Sequence, residues 1–518
     1  MKFKLNEHNT KIILQESTRE EYNQLKHLLN PFVNNYRFMK RYKLGVWDGK
    51  IDFFKNGFIN FGLWNYVYEI CKEYGYPFEI ENKENFPRNN DIKKIEIENF
   101  CNEFYTGYKT DKGEIFFPYE HQIDAMFKLL KHRYGLVEIA TAGGKSLVFA
   151  TVVFFILKYI DPEAKFLLIV PNISLVTQFY DDILDYNEGY NKEQKEPLDI
   201  KIQEIMSDKP RKNRDNVEPN IYIGTYQSLE KYPKEFFKQF YLIGTDEAHK
   251  AKAKTINTIL ERTFGYARYR FGMSGTYPLN GTSELMTIES LMGPKLLTVR
   301  AKKLQEIGVI SNLKIKSLQL NYDDHEFAEN VFMIKKRGGG KKAFELEKQY
   351  IHNSEKRKLF LTKLVTKFKQ NSLVLFHSID YGTQLYDFFR NNIQGKDFYY
   401  IDGSVKSDVR IQIKKYMEIT SGNPKILVAS YGTLSTGVNI KSIVNIVFAD
   451  SFKSDQIIRQ SIGRGLRLHS EKSKLIVFDI VDRFSKQYTN TLYNHYLSRR
   501  DNIYKKQEYP YDELTITI

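Results

Sequence analysis

GLVEIATAGGKSLVFATVVFFIL, residues 135–157, passes from a short apolar run through a glycine-bearing turn into a second, longer apolar run. Strand, tight loop and helix in that order are what a phosphate cradle requires. Glycine lets backbone N–H groups approach phosphate oxygens, and the helix N-terminus adds a positive dipole end. The loop ATAGGKS, residues 140–146, therefore predicts a nucleotide site lined by Thr141, Ala142, Gly143 and Gly144. Lys145 is expected to reach the β- and γ-phosphates and Ser146 to ligate Mg2+. The loop is irregular in one place: Ile139 stands where the strict GxxxxGK[ST] pattern has its first glycine.

About a hundred residues further on, YLIGTDEAH (residues 241–249) sets an apolar strand directly before two acids. Both then emerge at the carboxyl end of a sheet strand, where open α/β sheets place their sites. Asp246 is expected to hold Mg2+ through its water shell, and Glu247 to orient or deprotonate an attacking water. Two adjacent carboxylates on an arbitrary surface would merely be solvated; the apolar strand before them argues otherwise.

Working outward, β-branched runs at 166–170, 221–223, 241–245 and 268–273 alternate with helical patterns. The alternation repeats with runs at 373–376, 398–401, 426–429, 446–449 and 475–478. Two consecutive βα series predict two α/β domains with parallel sheets. The domains expected are a small N-terminal α/β domain at 1–95, parallel-sheet domains at 96–300 and 301–482, and a short helical extension at 483–518. Ile123, Met126, Phe127 and Leu130 mark one face of a helix after Tyr119, and Leu492, Tyr493, Tyr496, Leu497, Ile503 and Tyr504 one side of the C-terminal helices. Two basic segments, 207–220 and the KKRGGGKK of 335–342, read as solvated loops, the second as a flexible connector because triple glycine holds neither helix nor strand.

The 518 residues carry a formal charge of +15, with a pI near 9.2. Such an excess favours an anionic polymer as partner, since neutralising phosphates releases counterions, although a lysine-rich genome produces the same number. Two cysteines, Cys71 and Cys101, exclude a disulfide framework or a cysteine zinc cluster. The N-terminal MKFKLNEHNT has no apolar signal core, and the longest apolar run, 147–157, falls short of the ~18 residues of a membrane span. A soluble, cytoplasmic protein is expected.

QSIGRGLR, residues 460–467, brings Gln460, Arg464 and Arg467 near one helix face. With it, the ordered motifs of about residues 115–480 resemble the core of superfamily 2 helicases of the DEAH-box type. The resemblance implies two RecA-like domains, with ATP and Mg2+ as cofactors. It assigns Arg464 and Arg467 to the γ-phosphate across an interdomain cleft, as arginine fingers in cis, with Gln460 beside them. Arginine suits that task because its planar fork stays charged and grips two oxygens at once. FPYEHQ (117–122) resembles the adenine-recognition segment, with Gln122 on the base edge. PNISLVTQ (171–178), GTYQSL (224–229), LFHS (375–378), IDGS (401–404) and ASYGTLSTGVN (429–439) resemble strand-contacting and coupling motifs. They imply nucleic-acid contacts at Pro171, Gln178, Thr225, His377 and Thr433. SGT (274–276) resembles the motif linking hydrolysis to domain closure. Ala142 departs from the glycine usual in that family, and Asn439 from a frequent aspartate.

In YRFMKRYKLGVWDGKI, residues 36–51, Arg37, Lys40, Arg41, Lys43 and Lys50 interleave with Tyr36, Phe38, Tyr42 and Trp47. Cations of this kind contact phosphates, and aromatics stack on exposed bases or wedge at a junction; the aromatics alone also suit the core of a small domain. The arrangement is similar to the recombination and repair helicases of T-even phages, where a comparable element precedes the same core. This implies an ATP-dependent motor on branched DNA (R-loops, Holliday-type junctions, stalled forks) that also meets single-stranded DNA and RNA–DNA hybrids. It implies a monomer working in the host cytoplasm if phage-encoded, with single-strand-binding or recombination proteins as candidate partners. The alternatives are a restriction-type or nuclease-linked DNA translocase, an RNA helicase, or a binding protein clamped by ATP. Asp48, Glu81 and Lys83 are the residues a nuclease reading would need.

Overall fold

Every residue from 147 to 157 is buried on the helix Lys145–Tyr159. A helix that is apolar all round has to be enclosed. One side of it meets a sheet so closely that a β-carbon at Gly244 would stand 2.6 Å from the Phe149 ring. The other side packs on helix Lys94–Phe104, with Phe100 against Phe155 at 5.3 Å and Phe104 stacked on Phe154 at 4.9 Å. The computed structural model describes residues 1–6, 11–81, 90–105, 116–191, 198–206, 218–252, 254–263, 266–278, 280–435, 440–451, 455–466 and 474–518. Arg467, Asn439, Lys83 and most of the basic loop at 207–220 lie outside them.

The chain divides into two compact units, Met1–Val299 (save Thr141–Gly143 of the phosphate loop) and Arg300–Ile518. In the first, β1 (Lys2–Leu5), β2 (Lys11–Glu16), β3 (Phe54–Lys55), β4 (Phe58–Asn60) and β5 (Glu79–Glu81) form a sheet ordered β3-β4-β2-β1-β5, antiparallel except for β1–β5. The expected parallel sheet follows: β6 (Tyr134–Ile139), β7 (Phe166–Val170), β8 (Ile202–Ile205), β9 (Ile221–Thr225), β10 (Leu242–Asp246), β11 (Tyr269–Ser274) and β12 (Lys295–Val299), ordered β12-β6-β11-β10-β7-β9-β8.

The N-terminal sheet shares a core with its neighbour. Met286, from helix Ser283–Met292, is buried among Phe3, Leu25, Leu63 and Val67. Tyr66 donates to Glu289 at 2.6 Å, and Asn34 donates to both oxygens of Glu284 at 2.8 and 2.9 Å. A β-carbon at Gly62 would collide with the Glu289 carbonyl, so the small residue there permits the close approach. The expected boundary near residue 95 thus separates two sheets within one unit.

The second unit holds β13 (Asn312–Asn321), β14 (Ser372–Phe376), β15 (Asp397–Ile401), β16 (Lys425–Ser430), β17 (Asn445–Phe448), β18 (Lys474–Arg483) and β19 (Tyr511–Thr517), all parallel and ordered β15-β16-β14-β17-β18-β13-β19. Residues 483–518 contain the expected helix, Thr491–Arg499, but they also supply β19, which completes the sheet's edge. The triple glycine is a tight helix–helix turn rather than a flexible connector. Helix His325–Lys336 is followed, after Arg337, by Gly338 with φ +87°; Gly339 donates to the Ile334 carbonyl at 3.0 Å, and helix Gly340–Asn353 starts at once. Glycine supplies the left-handed turn that a helix C-terminus demands.

Candidate nucleotide and nucleic-acid site

Neighbouring strands β6, β11 and β10 bring three motifs to one carboxyl edge: in register, Asp246 faces Met273 and Ser274 faces Glu138. The phosphate loop leaves β6 and turns through Ala142 (φ +67°) and Gly144 (φ +87°) into the helix begun by Lys145. A left-handed conformation costs an alanine roughly 1–2 kcal/mol, which accounts physically for the glycine usual at that position. The Lys145 ammonium donates to the Ile139 carbonyl at 3.3 Å, and Ser146 is half-buried on the first turn.

Gln122 is buried on helix Glu120–His132, its Oε1 accepting the Tyr119 N–H at 2.9 Å. A β-carbon at Gly144 would run into its side-chain nitrogen, so Gln122 sits directly against the phosphate loop. Beside it opens a pocket of about 690 Å3 lined by Lys94, Glu98, Asn102, Phe117, Tyr119 and Ile123. Its size and half-exposed aromatics suit a purine.

Asp246 is buried, and its Oδ1 has no hydrogen-bond partner among the described residues. Burial and then the charge of Glu247 push its carboxyl well up, against the opposing pull of Lys145. In Glu247, burial acts the same way but is outweighed by the hydrogen bond and charge of His249, helped by Lys145, so its carboxyl is held below the usual range. Glu247 also adopts φ +51°, a strained conformation of the kind that clusters at functional sites. His249 Nδ1 lies 3.2 Å from Glu247 Oε2 and 2.8 Å from Ser274 Oγ, and Ser274 donates on to the Thr276 carbonyl at 2.7 Å. His249 therefore joins the acid pair to the SGT segment. Sequence reasoning gave it no role, although the last letter of DEAH was its signal.

The remaining nucleic-acid candidates divide by burial. His377 is exposed after β14, and the N–H groups of His377 and Ser378 both donate to Asp450 Oδ2 at 3.1 Å. Gln178 is half-buried, and Pro171 is buried. Thr225 is also buried, its hydroxyl accepting the Ser228 N–H at 3.3 Å to cap a short helix, and Thr433 is buried against Ser430. Gln460 and Arg464 lie on helix Asp455–Gly465, with side chains outside the described set, as is all of Arg467.

In the N-terminal segment Arg37, Lys40, Arg41 and Lys43 are exposed. The two remaining candidates, Trp47 and Lys50, are half-buried and have partners within residues 32–50. Trp47 donates its indole N–H to the Lys50 carbonyl at 2.8 Å, and the Lys50 ammonium sits 4.9 Å from the centre of the Phe32 ring. The apolar groups that face solvent include Phe38, Leu44 and Val46, exposed by 77%, 64% and 68%, and Met39 to a lesser degree. Leu44 and Val46 escaped sequence reasoning, which looked for aromatics. For a nuclease, Asp48 is spent on capping the Lys50 N–H at 3.0 Å and Glu81 pairs with Lys2 at 3.7 Å.

Residues 115–279 match the family of type III restriction enzyme res subunits, and residues 355–469 match the helicase conserved C-terminal domain. The ATP-dependent DNA helicase UvsW of enterobacteria phage T4 is 30% identical over 483 residues, 92% of this chain and 89% of that one. The chain belongs to the UvsW helicase family. It is an ATP-driven helicase of superfamily 2 and acts on nucleic acid. A crystal structure of T4 UvsW covers the whole of both chains at 26% identity with a TM-score of 0.48. Mss116p bound to single-stranded RNA and AMP-PNP shares the fold at 13% identity and TM-score 0.53, over 83% of this chain and 81% of that one. Among the described residues no helix is long and apolar enough to cross a membrane.

Proposed function

We propose that this helicase hydrolyses Mg-ATP to remodel branched DNA: R-loops, Holliday-type junctions and stalled forks, in phage recombination, replication and repair. Single-stranded DNA and RNA–DNA hybrids are its other tracks. The carrying observation is the segment 36–50, where Phe38, Leu44 and Val46 stand exposed among Arg37, Lys40, Arg41 and Lys43 on a sheet anchored to the first motor unit. The cations contact phosphates, while the apolar tips insert where a duplex opens.

The ATP chemistry follows from the carboxyl edge. Lys145 moves from its resting bond with the Ile139 carbonyl to the β- and γ-phosphates, and Gln122 with the adjoining pocket takes the base. Glu247, kept ionised by His249, accepts the proton of the attacking water. Arg464 and Arg467 supply the charge that stabilises the transferring phosphoryl. The unpartnered Oδ1 of Asp246 and the Ser146 hydroxyl fit a hard cation that also takes phosphate oxygens. Held by Asp246 and Ser146, Mg2+ would supply charge neutralisation to the phosphates.

A panel of fluorescent plain duplex, fork, four-way junction and R-loop, each with ATP, tests this reading. Selective unwinding of the branched forms is expected; movement on linear duplex alone would replace it with a translocase. Reversing the charges of Arg41 and Lys43 should weaken junction binding and lower its salt slope by about one per lost phosphate contact. Unchanged affinity in that pair would remove the N-terminal contact.

A further inference from the structure

Helix Asp455–Gly465, which carries Gln460 and Arg464, buries Ile458 and Ile462 and is tied to the C-terminal segment through Arg459. Arg459, one residue before Gln460, donates to the Asn502 carbonyl at 2.8 Å. Asn502 belongs to a π-helical turn, Arg500–Tyr504, in which the Lys505 N–H reaches back five residues to the Arg500 carbonyl at 3.0 Å. Such turns are rare and concentrate at functional sites.

The turn is itself bolted down. Arg499, buried, forks onto both oxygens of Asp479 in β18 at 2.8 and 3.2 Å and donates to Ser451 Oγ at 3.3 Å, close before that helix. The Tyr504 hydroxyl donates to the same carboxylate at 2.8 Å. At the front of helix Thr491–Arg499, Glu347 accepts the N–H groups of Thr491 and Leu492 at 2.8 and 2.9 Å. A buried, bidentate ion pair holds geometry far better than a surface contact does.

We propose that the C-terminal segment 490–509 is a rigid clamp that aims the arginine helix, with Arg459 and Tyr504 as positioning residues for hydrolysis. The clamp rests on the reading of Arg464 as a finger. A residue that aims a transition-state group changes kcat and leaves ground-state binding alone.

The test uses the full chain with Arg459→Met, Arg459→Lys and Tyr504→Phe, measuring junction-stimulated ATP hydrolysis, KM for ATP, junction affinity and melting. Arg459→Met should lose about 10- to 100-fold in kcat, the scale of a misplaced catalytic group. KM and junction affinity should stay within about twofold and melting should be unchanged. Lysine, whose ammonium still donates to the Asn502 carbonyl, should restore part of the rate. Tyr504→Phe keeps its ring and the Arg499 pair and should lose about two- to fivefold in kcat alone. Wild-type kcat in Arg459→Met, or a changed KM or junction affinity with kcat kept, overturns the clamp. If Arg459→Met melts early, Tyr504→Phe decides: wild-type kcat there overturns the proposal. Arg464→Ala, assayed in parallel, tests the finger by itself; full hydrolysis in that variant fails the finger reading whatever Arg459 does.

Discussion

The first parallel sheet leaves Asp246 with a buried oxygen that accepts no bond among the described residues, whereas the buried acids on and just past the strands of the second sheet, Asp402, Asp450, Asp479 and Asp482, all have partners, Asp402 in the Ser404 N–H and hydroxyl. Asp450 takes two backbone N–H groups and faces His352 at 3.5 Å, Asp479 takes Arg499 and Tyr504, and Asp482 takes the fork of Arg357 at 2.8 and 3.0 Å. Burial of a carboxylate is costly in both places; the second sheet supplies direct partners for its acids, whereas the pull of Lys145 offsets only part of the cost at Asp246. A satisfied buried acid is architecture. An acid with an oxygen to spare is free to serve the bound cation proposed above. The first sheet holds further strain at the same edge, in the left-handed Ala142 and Glu247.

That contrast breaks most readily by mutation. Glu247→Gln and Lys145→Ala should cut ATP turnover by roughly 10²–10⁴-fold, the range for loss of an acid–base or charge-stabilising group. Asp246→Asn should be as inactive yet melt no lower than wild type, because it removes a buried charge that the fold compensates only in part. Early melting of that variant would mean the acid serves the fold. Asp482→Ala is expected to do the opposite and destabilise by about 3–5 kcal/mol in denaturant titration, since Arg357 is left buried without its counter-charge. Arg357→Met with Asp482→Leu should recover most of that loss, and failure to recover would show the pair holding more than itself.

Smaller effects sharpen the picture. Ala142→Gly should raise stability by about 1 kcal/mol by relieving the left-handed alanine, read as a higher melting temperature. Glu289, at the seam between the N-terminal sheet and its neighbour, has its carboxyl raised by burial against the opposing bond from Tyr66. A carboxyl raised in the folded state favours folding below its unfolded pKa, and that stability is lost as pH rises through the folded value. The first unit should therefore loosen slightly as pH rises out of the acidic range, and Glu289→Gln should flatten the slope. An unchanged slope would exclude Glu289 as its source.

Much of this was legible in the sequence for one reason: strands buried on both faces, such as β7 and β10, read as unbroken apolar runs. β19, YDELTIT, escaped because it is a half-exposed edge whose identity comes only from pairing with β13. At the site, the acid pair and the phosphate loop were legible because their chemistry is local. The internal partners of Thr225, Thr433 and Trp47 were less so, because which group a hydroxyl or indole bonds within the fold depends on the turn around it and is not written in the residue type. Triple glycine hid its role in the same way, since a left-handed helix cap and a floppy linker share composition.

Met286, buried in the N-terminal core while belonging to the helix beside the first parallel sheet, carries a mechanical consequence. A sheet that shares a core residue with its neighbour cannot swing on a tether. Were segment 36–50 to meet the DNA junction as proposed, it would travel with the first unit, because the sheet that flanks it is packed into that unit's own core.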